Sequence, residues 1–116
     1  MLHSSMCHVL LKFMFKAAGT YSSADYAFSV AGFKELDIVV LANNVSADDT
    51  ITVTIYKTDS LGSTPIILKA FDAITEASVV SQDFASNIGD KIYAEAVVAG
   101  AAEVSCSCSV IAYVKT

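Results

Sequence analysis

Apolar and polar residues alternate with a period of two along much of this chain. Ile51, Val53 and Ile55 alternate with Thr50, Thr52, Thr54 and Tyr56. Ile92, Ala94, Ala96 and Val98 alternate with Lys91, Tyr93, Glu95 and Val97. Toward the C-terminus, Val104, Cys106, Cys108, Val110, Ala112 and Val114 alternate with Glu103, Ser105, Ser107, Ser109, Ile111, Tyr113 and Lys115. A strand turns successive side chains to opposite faces, so each set defines one apolar and one more polar face. Antiparallel sheets with one face on a core produce this pattern. Residues 38–41 and 66–68 are apolar on both faces. Such runs predict strands covered on both sides, by a second sheet or a neighbouring subunit.

Turn signals separate these runs at Gly19–Ala24, Gly32, Asn43–Asp49, Asp59–Ser63, Ser86–Asp90 and Gly100–Ala102. Pro65 opens its strand, where a missing N–H does least harm. The pattern predicts strands over 9–18, 25–32, 35–42, 50–58, 65–72, 77–83, 91–99 and 103–115. Helical spacing over Met1–Lys16 and a short helix over Thr75–Phe84 are the alternatives at two places. Eight antiparallel strands suit a jelly roll, and seven would suit an immunoglobulin-like sandwich. The chain has no Trp, so the Cys–Trp–Cys marker of immunoglobulin domains is missing. The expected fold is all-β: an antiparallel two-sheet β-sandwich, jelly-roll-like, with about eight strands. A single domain covers residues 1–116, with 1–18 as an N-terminal arm or first strand.

Composition changes this picture in one respect. Hydrophobic residues make up 54% and charged residues only 16%, against roughly 25% charged in ordinary soluble domains. A small sandwich cannot hide that much apolar surface within itself, so the surplus points to self-association or partners. The net charge is −5, all seven basic residues are lysines, and they form no stripe. That balance argues against nucleic-acid binding. The apolar runs are too short for a transmembrane helix, so no membrane partner is expected. Lys12 and Lys16 interrupt what would be a signal peptide's apolar region, and a directly translated product is the default.

Candidate chemistry changes little. Cys7, Cys106 and Cys108 are an odd set. Cys106 and Cys108 point the same way on one strand, a poor geometry for a mutual disulfide. They read as buried free thiols in a reducing compartment. The only histidines are His3 and His8. A Cys–His pair would form only if the N-terminal strand ran beside the C-terminal one. His3, Cys7, His8, Cys106 and Cys108 match no familiar zinc spacing. Asn43, Asn44, Asp48 and Asp49 read as a turn rather than a calcium loop. No nucleophile–base pair, phosphate loop or cofactor motif is present, so no enzyme activity, metal or cofactor is expected. The Asn44-Val45-Ser46 sequon matters only in a secreted protein. Tyr21, Tyr26, Phe28, Phe33, Phe71 and Phe84 are spread as core residues would be. The polar face of the last strand is the candidate interface: Ser105, Ser107, Ser109, Ile111 and Tyr113.

Residues 21–116 resemble the small β-sandwich auxiliary proteins of tailed-phage virions, of the head-decoration and head-fibre type. The resemblance rests on Ala/Thr/Ser/Val-rich strands, on Asn43-Asn44-Val45-Ser46-Ala47-Asp48-Asp49-Thr50, and on Ile88-Gly89-Asp90-Lys91-Ile92-Tyr93-Ala94. It implies a non-enzymatic structural subunit, often trimeric, held on a capsid or tail lattice with other virion proteins. Its location would be the virion, assembled in the host cytoplasm. Residues 1–18 lie outside the resemblance and would serve as an attachment arm. The alternative is a carbohydrate- or ligand-binding β-sandwich module, with Tyr93 or Tyr113 in the site.

Overall fold

The computed structural model describes residues 5–58, 64–86, 88–100 and 106–116. Nine strands occur among them: β1 (Ser5–Lys16), β2 (Gly19–Ser22), β3 (Phe28–Ser29), β4 (Glu35–Val45), β5 (Thr50–Thr58), β6 (Ile66–Ala70), β7 (Ser78–Phe84), β8 (Lys91–Ala99) and β9 (Cys106–Lys115). Within the two segments with a helical alternative, Ser5–Lys16 and Ser78–Phe84 are strands. The predicted hairpin loops at 59–63 and 100–102 fall largely outside the described residues.

The topology is that of an antiparallel ribbon folded at its middle and then rolled. Strands pair from the two chain ends inward: β1 with β9, β2 and β3 with β8, β4 with β7, and β5 with β6. Rolling the ribbon then joins β9 to β4 and β8 to β5. The outcome is a four-stranded sheet A, β1-β9-β4-β7, over a five-stranded sheet B, β2-β8-β5-β6 with β3 beside β8. This is the jelly roll that the strand count suggested.

The core lies on the inward faces of the central strands. Leu36, Ile38 and Val40 of β4 face Ile51, Val53 and Ile55 of β5 across the sandwich, and all six are at most 2% exposed. The central strands β8 and β9 add smaller side chains, Ala94, Ala96, Cys106, Cys108 and Ala112, all at most 1% exposed. Large residues on one strand beside small ones on the next let the layers interdigitate. Each fully buried Ile or Val contributes about 1.5–3 kcal/mol. Two ring contacts span the sheets at one margin: Phe13 with Tyr21, centroids 5.0 Å apart, and His8 stacked on Phe28 at 4.3 Å.

Two segments depart from the sequence reading. The predicted strand 25–32 is instead a 3-10 turn, Ala24–Tyr26, followed by the two-residue β3. The strand that pairs with β8 here is Gly19–Ser22, a stretch that reads as a turn. Short polar residues mimic a loop, yet this stretch is an edge strand whose pairing comes from β8, not from its own pattern. Strand β1 also begins earlier than predicted and is kinked by bulges between Val9 and Leu11 and between Phe13 and Lys16. The first bulge lets Leu10 and Phe13 both reach the core, which a strict period of two forbids.

Candidate functional site

The outer face of sheet A turns away from sheet B, and its side chains form rows across the strands. Cys7, Tyr113, Asp37 and Asp83 make one row, and Val9, Ile111, Val39 and Ser81 the next. Lys12, Ser109, Leu41 and Val79 follow, and then Asn44 beside Ser107. The middle rows are mainly aliphatic. Val9 is 48% exposed and Val79 63% exposed, while Val39, Leu41 and Ile111 are half-buried. A polar strand face would be cheaper on a lone solvated sandwich, so this face carries the surplus apolar surface seen in the composition.

The candidate interface residues differ in how far they reach this surface. Tyr113 is exposed, and Ile111 and Ser109 are half-buried. Ser107 is only 6% exposed, which corrects the reading of an open hydroxyl ladder. The reason is position: β9 runs in the interior of sheet A between β1 and β4, and the short Ser107 side chain lies beside the larger Asn44, its register partner on β4. Ser105 lies outside the described residues. Val39 and Leu41 belong to the 38–41 run that the sequence marks as apolar on both faces, whereas Val9 and Val79 are not singled out, because their row-mates come from separate segments.

At one end of this face, Glu35, Asp37, Asp83, Tyr113 and Lys115 line a shallow cleft. Asp37 and Asp83 are directly paired across β4 and β7. Burial pushes the Asp37 carboxyl above its ordinary value, Asp83 pushes it further, and Lys115 offsets only part. One oxygen of Asp37, Oδ1, is buried without a hydrogen-bond partner. The arrangement therefore disfavours the charged form of Asp37. Among the described residues, no group of three or more His, Cys, Asp or Glu could hold a metal ion.

The thiols do not assemble a nucleophile. Strand β1 does run beside β9, the condition for a Cys–His pair, but the register separates the groups. His8 stands opposite Ala112, whereas Cys108 stands opposite Phe13. Cys7 faces outward, opposite Tyr113 and away from His8. Burial, with Cys106 alongside, pushes the Cys108 thiol up to about 11, the reverse of an activated thiolate. All three cysteines are free. The Asn43–Asp49 segment ends in a turn, with the Asp49 N–H donating to the Ser46 carbonyl at 3.0 Å and Asp48 at φ 66°. Among the described residues, no helix is long and apolar enough to cross a membrane.

No protein-family description and no curated protein sequence matches this chain. Solved structures do. The exported protein XepA of PBSX aligns with a TM-score of 0.66 at 12% identity over 94% of this chain. This chain spans only 36% of XepA. The SPBc2 prophage-derived protein YomS aligns with a TM-score of 0.62 at 14% identity, covering all of this chain and 96% of YomS. A subunit of the T13 infectious bursal disease virus particle aligns with a TM-score of 0.58 at 12% identity over 97% of this chain and 31% of its own. At such identities the likeness establishes the fold. It joins this chain to an architecture shared with an exported protein, a prophage-derived protein and a subunit of a viral particle, in keeping with the resemblance read from its strands.

Proposed function

We propose that this chain is a non-enzymatic structural protein of a virion. It serves as a capsid-decoration, head-fibre or tail-accessory subunit, acting through self-association and contacts with a particle lattice. The observation that carries the reading is the aliphatic outer face of sheet A, centred on Val9, Val39, Leu41, Val79 and Ile111. A two-layer sandwich leaves this face without a third layer, and a second subunit supplies one. Ser109, Ile111 and Tyr113 of β9 belong to the same contact. The fold likeness to the PBSX exported protein XepA, to the prophage-derived YomS and to a subunit of a viral particle supports the setting. The protonated Cys108 and the separated His8 and cysteines support the absence of catalysis. Three copies around the apolar face is the assembly we favour, with other virion proteins as the second partner and the host cytoplasm as the site of assembly.

Size-exclusion chromatography with light scattering tests this. The expected mass is a multiple of 12.2 kDa, threefold for the trimer. A clean monomer at micromolar concentration that also fails to co-sediment with phage particles would overturn the reading.

A further inference from the structure

The 3-10 turn Ala24–Tyr26 buries none of its residues, yet it is bolted to the centre of sheet B. Ser23, 7% exposed, holds it there. Its N–H donates to the Ala94 carbonyl at 3.0 Å, and its Oγ accepts the Ala94 N–H at 3.0 Å. That Oγ also donates to the Ala94 carbonyl at 3.3 Å. The Tyr26 N–H then closes the turn on the Ser23 carbonyl at 2.9 Å. The product of these bonds is a large aromatic ring held out in water: Tyr26 is 84% exposed. This corrects the reading of Tyr26 as a core residue, and packing does not explain it.

Tyr26 and Tyr93 line a cleft of ≈ 340 Å³ together with Asp25, Lys91, Thr58 and Pro65. Tyr93 continues the aromatic surface along the outer face of sheet B. Its ring stacks on that of Tyr56, its register partner, with centroids 5.0 Å apart and planes 18° apart. The cleft thus combines two tyrosine side chains with one carboxylate and one ammonium. Stacking rings beside a few fixed polar groups suit a ligand with an apolar C–H face and a hydroxyl rim. A nucleic acid would need more positive charge than one lysine beside an aspartate. An acyl chain would need a deeper and drier pocket.

We infer that the cleft between Tyr26 and Tyr93 binds a pyranose ring of a glycan, stacked on the tyrosines with its hydroxyls bonded to Asp25 and Lys91. This site lies on sheet B, on the opposite side of the sandwich from the apolar face of sheet A. It stands or falls independently of the structural role. Of the two tyrosines that the sequence offered for sugar binding, Tyr93 belongs to it. Tyr113, on the outer face of sheet A, does not.

Saturation-transfer NMR on the full chain tests the site with glucose, galactose, N-acetylglucosamine and glucuronic acid as probes. At least one sugar is expected to receive saturation. Tyr26→Ala and Tyr93→Ala should each weaken that binding about tenfold, and Tyr113→Ala should leave it unchanged. Tyr93→Phe keeps the stack should Tyr93→Ala compromise folding, and it should bind more tightly than Tyr26→Ala. Transfer to none of the four sugars, or binding untouched by Tyr26→Ala, would overturn the inference.

Discussion

Asp37 and Asp83 stand directly opposite one another on β4 and β7, two carboxyls on the outer face of one sheet. Burial raises the Asp37 carboxyl above its ordinary value, and Asp83 adds to the rise. A group raised on folding stabilises the fold fully at pH below its ordinary value and loses that contribution as the pH climbs through the raised value. At neutral pH the charged form of Asp37 is therefore a cost. Asp37→Asn should raise the melting temperature at pH 7, and the gain should shrink as the pH approaches 4. Thermal denaturation followed by circular dichroism between pH 4 and pH 8 measures it. A variant less stable than wild type at pH 7 would contradict this account.

Ser107 and Val79 lie on the same outer face yet should respond oppositely to a long cation. Ser107 is 6% exposed between β1 and β4, and Val79 is 63% exposed on the edge strand β7. Ser107→Arg forces a guanidinium into a packed position and should cost about 2–4 kcal/mol of folding stability. Val79→Lys should change stability by no more than about 0.5 kcal/mol, while placing charge where a neighbouring subunit would pack. Urea denaturation read beside light scattering separates the two. Val79→Lys and Val9→Lys are expected to lower the assembled mass with the fold intact. An unchanged mass in both would remove this face from the assembly.

These contrasts mark what the sequence made legible. Period-two alternation identified β5, β8 and β9, and a run apolar on both faces identified β4, because those strands sit mid-sheet with one face on the opposite layer. It correctly made Cys106 and Cys108 core positions, 0% and 1% exposed. It misplaced the strand after β1, because Gly19–Ser22 owes its conformation to β8. It marked Ile111 and the two-sided run 38–41 but not the rows they form with Val9 and Val79, which are brought together only when the ribbon rolls. It also overstated the reach of Ser107, because alternation tells which face a residue is on and not how tall its neighbours are.

Gly89 shows a different constraint, at the entrance to β8. Its φ is +77°, and a Cβ there would meet the Lys57 Cβ at 3.0 Å and the Thr58 carbonyl oxygen at 3.2 Å. The backbone is also pinned nearby, since the Asp90 N–H donates to the Thr58 carbonyl at 3.0 Å. Gly89→Ala should therefore cost about 1–3 kcal/mol. The urea midpoint should fall without a change in slope. A midpoint equal to that of wild type would show that the turn relaxes at no cost.

Cys108 and Cys7 should differ sharply toward thiol reagents. Cys7 is exposed on β1, whereas Cys106 and Cys108 are buried and the Cys108 thiol is pushed up to about 11 from an ordinary value of 9.0. At pH 8 a folded sample should titrate one fast thiol, and unfolding in guanidinium should release the other two. Cys7→Ser should abolish the fast phase. The same shift predicts an alkaline weakness. Because the folded state holds its proton longer than the unfolded chain, the stabilisation is complete below pH 9 and is lost as the pH rises through 11. Cys108→Ala should flatten that decline, at a cost of about 1 kcal/mol at neutral pH from the vacated volume. Fast labelling of all three thiols in the folded protein at pH 8 would show that β9 opens far more readily than its central place between β1 and β4 implies.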